Sequence, residues 1–354
     1  MQKRVMLIAG VMILSIILSG CFQGEQSLNE EMDPPQNAEP VDNQGETQDG
    51  EGETDDETQA STVARDLYLL DANGMVASQT IEMPTTESHT VAKQVMEYLV
   101  KDGPVSQILP NGFQGVIPAG TEVLGVNLQE DGKIIVNLSK EFANYEAENE
   151  RKILEAITYS LTQFENVKQV QLQMEGNAIT EMPVDGTPIG NGFSRADGIN
   201  ISDTGASDLV DSKTVTMFYP AEHNDNAYYI PVTQYVDQDK EDDELMTIVN
   251  ALIDGPGVEQ NVMQVFNPKT TLTTPPSIKG GTLHLQFNQE ILKDEDKAVI
   301  SDQVMESIVR TMTEVKGIES VQVSIDNIEQ LVNEEGKAYT EPVTIQQFTQ
   351  AEEL

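Results

Sequence analysis

The chain has 354 residues, with 60 Asp and Glu against 20 Lys and Arg and a formal net charge of −40. That balance argues against a nucleic-acid partner, because phosphate contact needs clustered Lys and Arg, and it disfavours adhesion to anionic headgroups. Cys21 is the one cysteine, so neither an internal disulfide nor a thiolate metal cluster can form, and the absence of Trp offers no stacking platform for sugars or bases.

Lys3 and Arg4 precede an apolar run, Val5 to Leu18, that ends in Leu18-Ser19-Gly20-Cys21. This is signal-peptide grammar over residues 1–20, and the run is short for a permanent span, which needs about 20 residues. Leu-Ser-Gly-Cys resembles the lipobox of bacterial lipoproteins. The resemblance implies cleavage after Gly20, acyl chains such as palmitate on Cys21, and a place on the outer face of the cytoplasmic membrane. An ordinary secretory peptide or an uncleaved anchor is the plainer alternative. Residues 21–64 carry about a dozen acids and no Lys or Arg. Such a segment cannot bury enough apolar surface to offset chain entropy, and its charges extend it. It reads as a disordered acidic tether.

A first module is expected over 65–184. It opens with a strand holding Leu67, Leu69 and Leu70. A helix follows with Val91, Ala92, Val95, Met96, Leu99 and Val100 on one face. Asp102-Gly103-Pro104 punctuates it: Gly103 suits a left-handed helix stop and Pro104 forbids continuation. A hairpin turns at Asp131-Gly132 between Val123–Leu128 and Lys133–Leu138. A second helix presents Ile153, Ile157, Leu161 and Phe164, and a strand with Val170, Leu172 and Met174 closes the unit. Residues 185–212, rich in Gly, Asn, Ser and Asp, read as a linker.

The second module, 213–347, repeats this order about 150 residues later, before a tail at 348–354. Val215, Met217 and Tyr219 open it. Leu245, Ile248, Val249, Leu252 and Ile253 line its first helix, and Asp254-Gly255-Pro256 repeats the stop. Leu283, Leu285 and Phe287 follow Gly280-Gly281. Val304, Ile308, Met312 and Val315 mark the second helix, and Val321, Val323 and Ile325 the last strand. Thr273-Thr274-Pro275-Pro276 interrupts the first hairpin strand, which should be shorter or at an edge. A repeat this long is a duplicated domain and not a solenoid unit. The predicted class is α/β of the α+β kind: two tandem modules, each a small mixed sheet with two helices packed on one face.

The Leu-Val-Lys-Asp-Gly-Pro and Leu-Ile-Asp-Gly-Pro-Gly helix ends, the segment Pro118 to Phe142, its echo in Gly280 to Ile291, and the helix and strand after each resemble the GerMN domain of the sporulation and spore germination family. The resemblance covers about three quarters of the mature chain. It implies a fold similar to the ring-building modules of secretion systems. It also implies a role in endospore formation between the mother-cell and forespore membranes, with the trans-envelope complex of the stage III A and stage II Q proteins as partner.

No catalytic constellation is legible. His89, His223 and His284 stand at non-equivalent points of the repeats, unlike zinc ligands. Asp237 to Glu241 begins like a calcium loop but has Asp242 and Ile248 where Gly and Glu belong; these acids instead load the N-terminus of a helix. The G-x-S-x-G, phosphate-loop and H-E-x-x-H motifs are absent. The expectation is therefore a non-catalytic protein without metal or cofactor. It acts as a tethered scaffold or assembly factor, with peptidoglycan binding or remodelling as the alternative.

Overall fold

The computed structural model describes residues 61–202, 212–237, 244–256 and 261–348. Cys21, Gly20, the acidic tether up to residue 60 and residues 238–243 lie outside them; Thr62–Ala64, assigned to the tether, instead begin the first strand. The first module contains β1 (Thr62–Leu70), β2 (Val76–Pro84), α1 (Ser88–Tyr98), β3 (Val123–Leu128), β4 (Lys133–Leu138), α2 (Glu150–Leu161), β5 (Gln169–Met174) and β6 (Asn177–Ala178). The second contains β7 (Ser212–His223), β8 (Asn226–Asp237), α3 (Glu244–Asp254), β9 (Ser277–Lys279), β10 (Thr282–Phe287), β11 (Leu292–Asp294), β12 (Val299–Ile300), α4 (Asp302–Thr313), β13 (Ser320–Ile325) and β14 (Val343–Thr344).

The α+β class and the duplicated mixed sheet are as expected. In the first module the sheet runs β3-β4-β5-β6, with β4 and β5 parallel from Lys133 opposite Gln169 to Leu138 opposite Met174. A parallel neighbour requires a crossover, and α2 supplies it. The second sheet runs β14-β13-β10-β9, and β10 and β13 repeat the parallel pair through α4. Pro275 and Pro276 cut β9 to three residues, since proline cannot donate to a ladder.

The opening of each module differs from the expected single strand. Each opens with an antiparallel hairpin, β1–β2 or β7–β8. The two hairpins join edge to edge as one four-stranded sheet, β1-β2-β8-β7. The helix α2 consequently packs against β1 as well as β5, and every residue from Ile153 to Leu161 is buried. The buried apolar residues from Leu67 to Val343 form one connected cluster, not two self-contained interiors.

The linker assignment also meets folded chain. Phe193 pairs with Val170 of β5, and both Phe193 and Ile199 are buried. Residues 185–202 therefore pack as structure.

At the two Asp-Gly-Pro sites the geometry diverges. Gly255 directly follows α3 with φ +81°. In the first module α1 ends at Tyr98, Asp102 takes the left-handed conformation at φ 60°, and Gly103 does not. Gly103 is constrained by space instead: a Cβ there would meet the Val100 carbonyl oxygen at 2.8 Å. Gly255→Ala should cost about 1–2 kcal/mol through its φ. Gly103→Ala should also destabilise, by backbone conflict, whereas Asp102→Gly should stay within about 0.5 kcal/mol of the parent because the left-handed strain relieved offsets the entropy of glycine. Urea denaturation of the three variants checks the ranking.

Candidate functional site

The sheet order β1-β2-β8-β7 relates the two modules by an approximate two-fold axis, and the seam between them holds an extended polar network. Contacts recur between the modules at the repeat spacing. Tyr68 N–H donates to Ser160 Oγ at 2.9 Å, and Phe218 N–H donates to Thr311 Oγ1 at 3.0 Å. Leu70 C=O accepts from Gln114 N–H, and Pro220 C=O accepts from Met263 N–H. Thr80 Oγ1 donates to Asp66, and Thr233 meets Thr216 in the same way. The axis passes through the junction of β2 and β8.

At that junction the strands share a single ladder pair, Ser78 opposite Tyr229. Within the hairpins Tyr68 faces Ser78 and Phe218 faces Pro231, so Ser78 and Pro231 are counterparts; by the same logic Val76 and Tyr229 are counterparts. The two-fold image of the Ser78–Tyr229 pair is thus Pro231 with Val76, and Pro231 has no N–H. The Asn200 carboxamide takes its place. Its Oδ1 accepts from Val76 N–H at 3.0 Å, and its Nδ2 donates to the carbonyls of Val76 at 2.7 Å and Pro231 at 2.8 Å. Asn200 holds φ +45° to do so, a region Asn tolerates better than most residues. Ile199 and Ser202 extend the contact as a short backbone pairing with Thr233.

Aromatic and charged groups complete the seam. Phe113 meets Tyr228 edge-on with centroids 4.8 Å apart, and Tyr228 Oη donates to Asp71 Oδ2 at 2.9 Å. Where the modules face each other a cleft of about 350 Å³ lies on the axis, lined by the counterpart pairs Tyr68 and Phe218, Thr162 and Thr313, Gln163 and Glu314. Arg195 crosses it. Its guanidinium donates to Glu314 Oε1 at 2.7 Å and to Thr162 Oγ1 at 2.9 Å, 4.6 Å from the Tyr159 ring centroid. The bridge is one-sided, because the image positions are Gln163 and Ile345. Burial pushes the Tyr68 phenol above its ordinary pKa, and the Arg195 charge partly opposes it.

Glu150 anchors the return of the chain toward this seam. It is 1% exposed. Its carboxylate accepts from Tyr145 Oη at 2.8 Å and from the N–H groups of Val184, Asp185 and Thr187 at 2.7–3.0 Å. Burial alone would raise its pKa; the N–H donors of Asp185 and Thr187 and the Tyr145 phenol outweigh that and hold it at about 2.

Of the residues the sequence singles out, Gly103 and Pro104 sit in the first module and Gly255 and Pro256 in the second. Pro256 reaches the seam, where its carbonyl accepts from Ser202 Oγ at 3.2 Å. His223 sits so close to Gly112 that a Cβ there would meet its ring at 2.5 Å, and His284 lies in β10. Among the described residues no cluster of three His, Cys, Asp or Glu is placed to hold a metal ion. Glu150, Arg195 and Asn200 are the seam residues that sequence reasoning missed. The signal that could have found Asn200 is Pro231, a proline inside a run that otherwise reads as a strand, which demands a substitute donor.

Removing the Asn200 carboxamide strands three backbone groups. Asn200→Ala should lower stability by about 2–3 kcal/mol, and Asn200→Asp by more, since a carboxylate would face two carbonyls; guanidinium denaturation distinguishes them. Glu150 gives a pH signature. Its folded pKa lies below its unfolded value, so its contribution, at most about 3 kcal/mol, is present above about pH 4.5 and lost as pH falls toward 2. In Glu150→Gln that part of the acid dependence should vanish from a series of melts between pH 6 and 2.5.

The sporulation and spore germination family model (Germane) matches residues 66–180 and 216–331, one stretch in each module. The chain is 42% identical over 345 residues to the spore germination protein GerM of Bacillus subtilis strain 168, covering 93% of each. It superposes with a TM-score of 0.74 on the tandem GerMN domains of that organism's sporulation protein GerM, at 44% identity, over 80% of this chain and 97% of that one. Among the described residues no helix is long and apolar enough to cross a membrane. The chain belongs to the sporulation and spore germination family, with a GerMN-type module on each side of the seam.

Proposed function

We propose that this protein is a lipid-anchored, extracytoplasmic scaffold for endospore formation that works by contact and not by catalysis. The observation that carries this is the continuous β1-β2-β8-β7 sheet. It makes one body of two modules and so fixes the separation of their outer mixed sheets. Two contact surfaces at fixed spacing are what an assembly factor needs to hold partners in register, and a membrane tether raises their effective concentration. The partner proposed is the trans-envelope complex of the stage III A and stage II Q sporulation proteins, in the space between mother cell and forespore. The anchor proposed is lipid on the thiol of Cys21, which becomes the mature N-terminus on cleavage after Gly20.

Two measurements in sporulating cells test this reading. Cys21→Ala should abolish labelling of the protein by radioactive palmitate; undiminished labelling would remove the lipid anchor from the proposal. Deleting residues 213–347 should impair assembly of the stage III A and stage II Q complex, followed by fluorescence of a tagged component. Normal assembly without the second module, or retention of the purified protein on bare sacculi with release of muropeptides, would replace the scaffold with a cell-wall role.

A further inference from the structure

The seam fits unlike modules and rejects like ones, because three of its contacts are made on one side of the two-fold axis only. Arg195 of the first module meets Glu314 of the second at 2.7 Å, and the image positions are Ile345 and Gln163. Tyr228 of the second donates to the buried Asp71 of the first at 2.9 Å. The images of that pair, Met75 and Ala221, have no such bond to make. Asn200 of the first donates to the Pro231 carbonyl of the second at 2.8 Å, where the proline has no N–H to offer. Two first modules in the same arrangement would bring two Arg195 guanidinia into one cleft, each facing Gln163, and would leave Asp71 opposite Met75. Two second modules would bring two Glu314 carboxylates together and set Pro231 against Tyr229 without Asn200 on either side. Like charges so placed repel, and a buried polar group that loses its partner is costly.

We propose that the seam is also an intermolecular recognition surface, whose partner is the opposite module of a second copy of this chain, and that neighbouring copies exchange modules reciprocally through it. Every copy carries one face of each kind. An exchanged pair therefore makes two complete seams and keeps every contact of both, which is why such exchange is a low-cost route to a dimer. What favours the single closed chain is the covalent connection through residues 203–211. A short connection supplies an effective concentration on the order of 1 mM, and tethering copies to one membrane raises their own concentration toward it. The inference goes beyond the scaffold reading. Its test needs neither membrane nor sporulation complex, so the failure of one leaves the other standing.

Cysteine trapping tests this in the full chain carrying Cys21→Ala, which then has no other thiol. Ser78 and Tyr229 face each other across the seam, and opposite residues of an antiparallel pair lie within disulfide reach. A Ser78→Cys copy and a Tyr229→Cys copy are mixed, warmed to open the seam, cooled and oxidised. Salt at about 0.15 M screens the repulsion between two chains of net charge −40 beyond about 8 Å. A covalent dimer should form in the mixture at protein concentrations on the order of 1 mM, and not from either copy alone. Charge reversal then separates recognition from chance collision. With Arg195→Glu on the Ser78→Cys copy and Glu314→Arg on the Tyr229→Cys copy, both exchanged seams pair opposite charges and both single-chain seams clash. The dimer should then form at roughly a hundredfold lower concentration, about tenfold for each clash relieved. With both reversals on one copy the single-chain seams are matched and the exchanged ones clash, so the dimer should disappear. That copy keeps a charge pair of its own, so the loss of dimer is not a loss of fold. No dimer in any mixture, equal dimer from either copy alone, or equal yield from the two placements overturns the proposal.

Discussion

The missing N–H of Pro231 is the constraint on which the seam depends. A proline in a central strand ordinarily ends pairing there. Here it sits where two hairpins meet, and a carboxamide from residue 200 supplies the donor and the acceptor that a strand neighbour would have given. The sheet can then run unbroken from β1 to β7, and the buried apolar residues of both modules join as one cluster. The segment carrying Asn200 is held at its start by Glu150, a buried carboxylate whose acceptor capacity is taken up by three N–H groups and a phenol. A buried charge is tolerable only when it is satisfied in this way.

The same sheet is closed to further strands. An edge strand presents unpaired N–H groups that invite another chain. Along β1 the N–H groups of Asp66, Tyr68 and Leu70 are taken by Gln163 Oε1, Ser160 Oγ and the Gln114 carbonyl. Along β7 Phe218 N–H is taken by Thr311 Oγ1 and the Pro220 carbonyl by Met263. The helices thus serve two layers at once. One face of α2 closes the mixed sheet, and its Ser160 and Gln163 cap the edge of the shared sheet. Core truncations in the buried stretch of α2 from Ile153 to Leu161 lose both transfer and packing terms.

Much of the fold was legible because its elements obey local rules. The four helices and the β3–β4 hairpin follow from apolar periodicity and turn glycines, and the repeat itself reads directly. What was not legible is what arises between modules. Strand β2 alternates, with Ala77, Gln79, Ile81 and Met83 on one face, yet sits in a stretch whose Thr, Glu and Pro suggest a loop. Strand β8 carries Pro231, which argues against a central strand until its two-fold partner is known. Residues 185–202 look like a linker because Gly, Asn and Ser dominate, and composition says nothing of which carbonyls an Asn will meet 31 or 124 residues away. The seam residues Glu150, Arg195 and Asn200 are functional only through such distant contacts.

Duplication within one chain frees the two copies to differ, and the differences are concentrated at the seam. The apolar counterparts in the helices stay apolar: Ile153 and Val304, Ile157 and Ile308, Leu161 and Met312 all remain buried. Several polar counterparts do not hold. Arg151 becomes Asp302, Gln163 becomes Glu314, Arg195 becomes Ile345, and Tyr159 becomes Arg310. A symmetric seam would place like groups face to face across the axis, and two Arg195 equivalents in one cleft of about 350 Å³ would repel. One arginine and one glutamate, Arg195 and Glu314, resolve that conflict, and they do so at the cost of symmetry. Once the halves are distinct, counterpart positions can act differently: on one side Arg151 holds a segment of the chain, and on the other the same place carries the exposed Asp302.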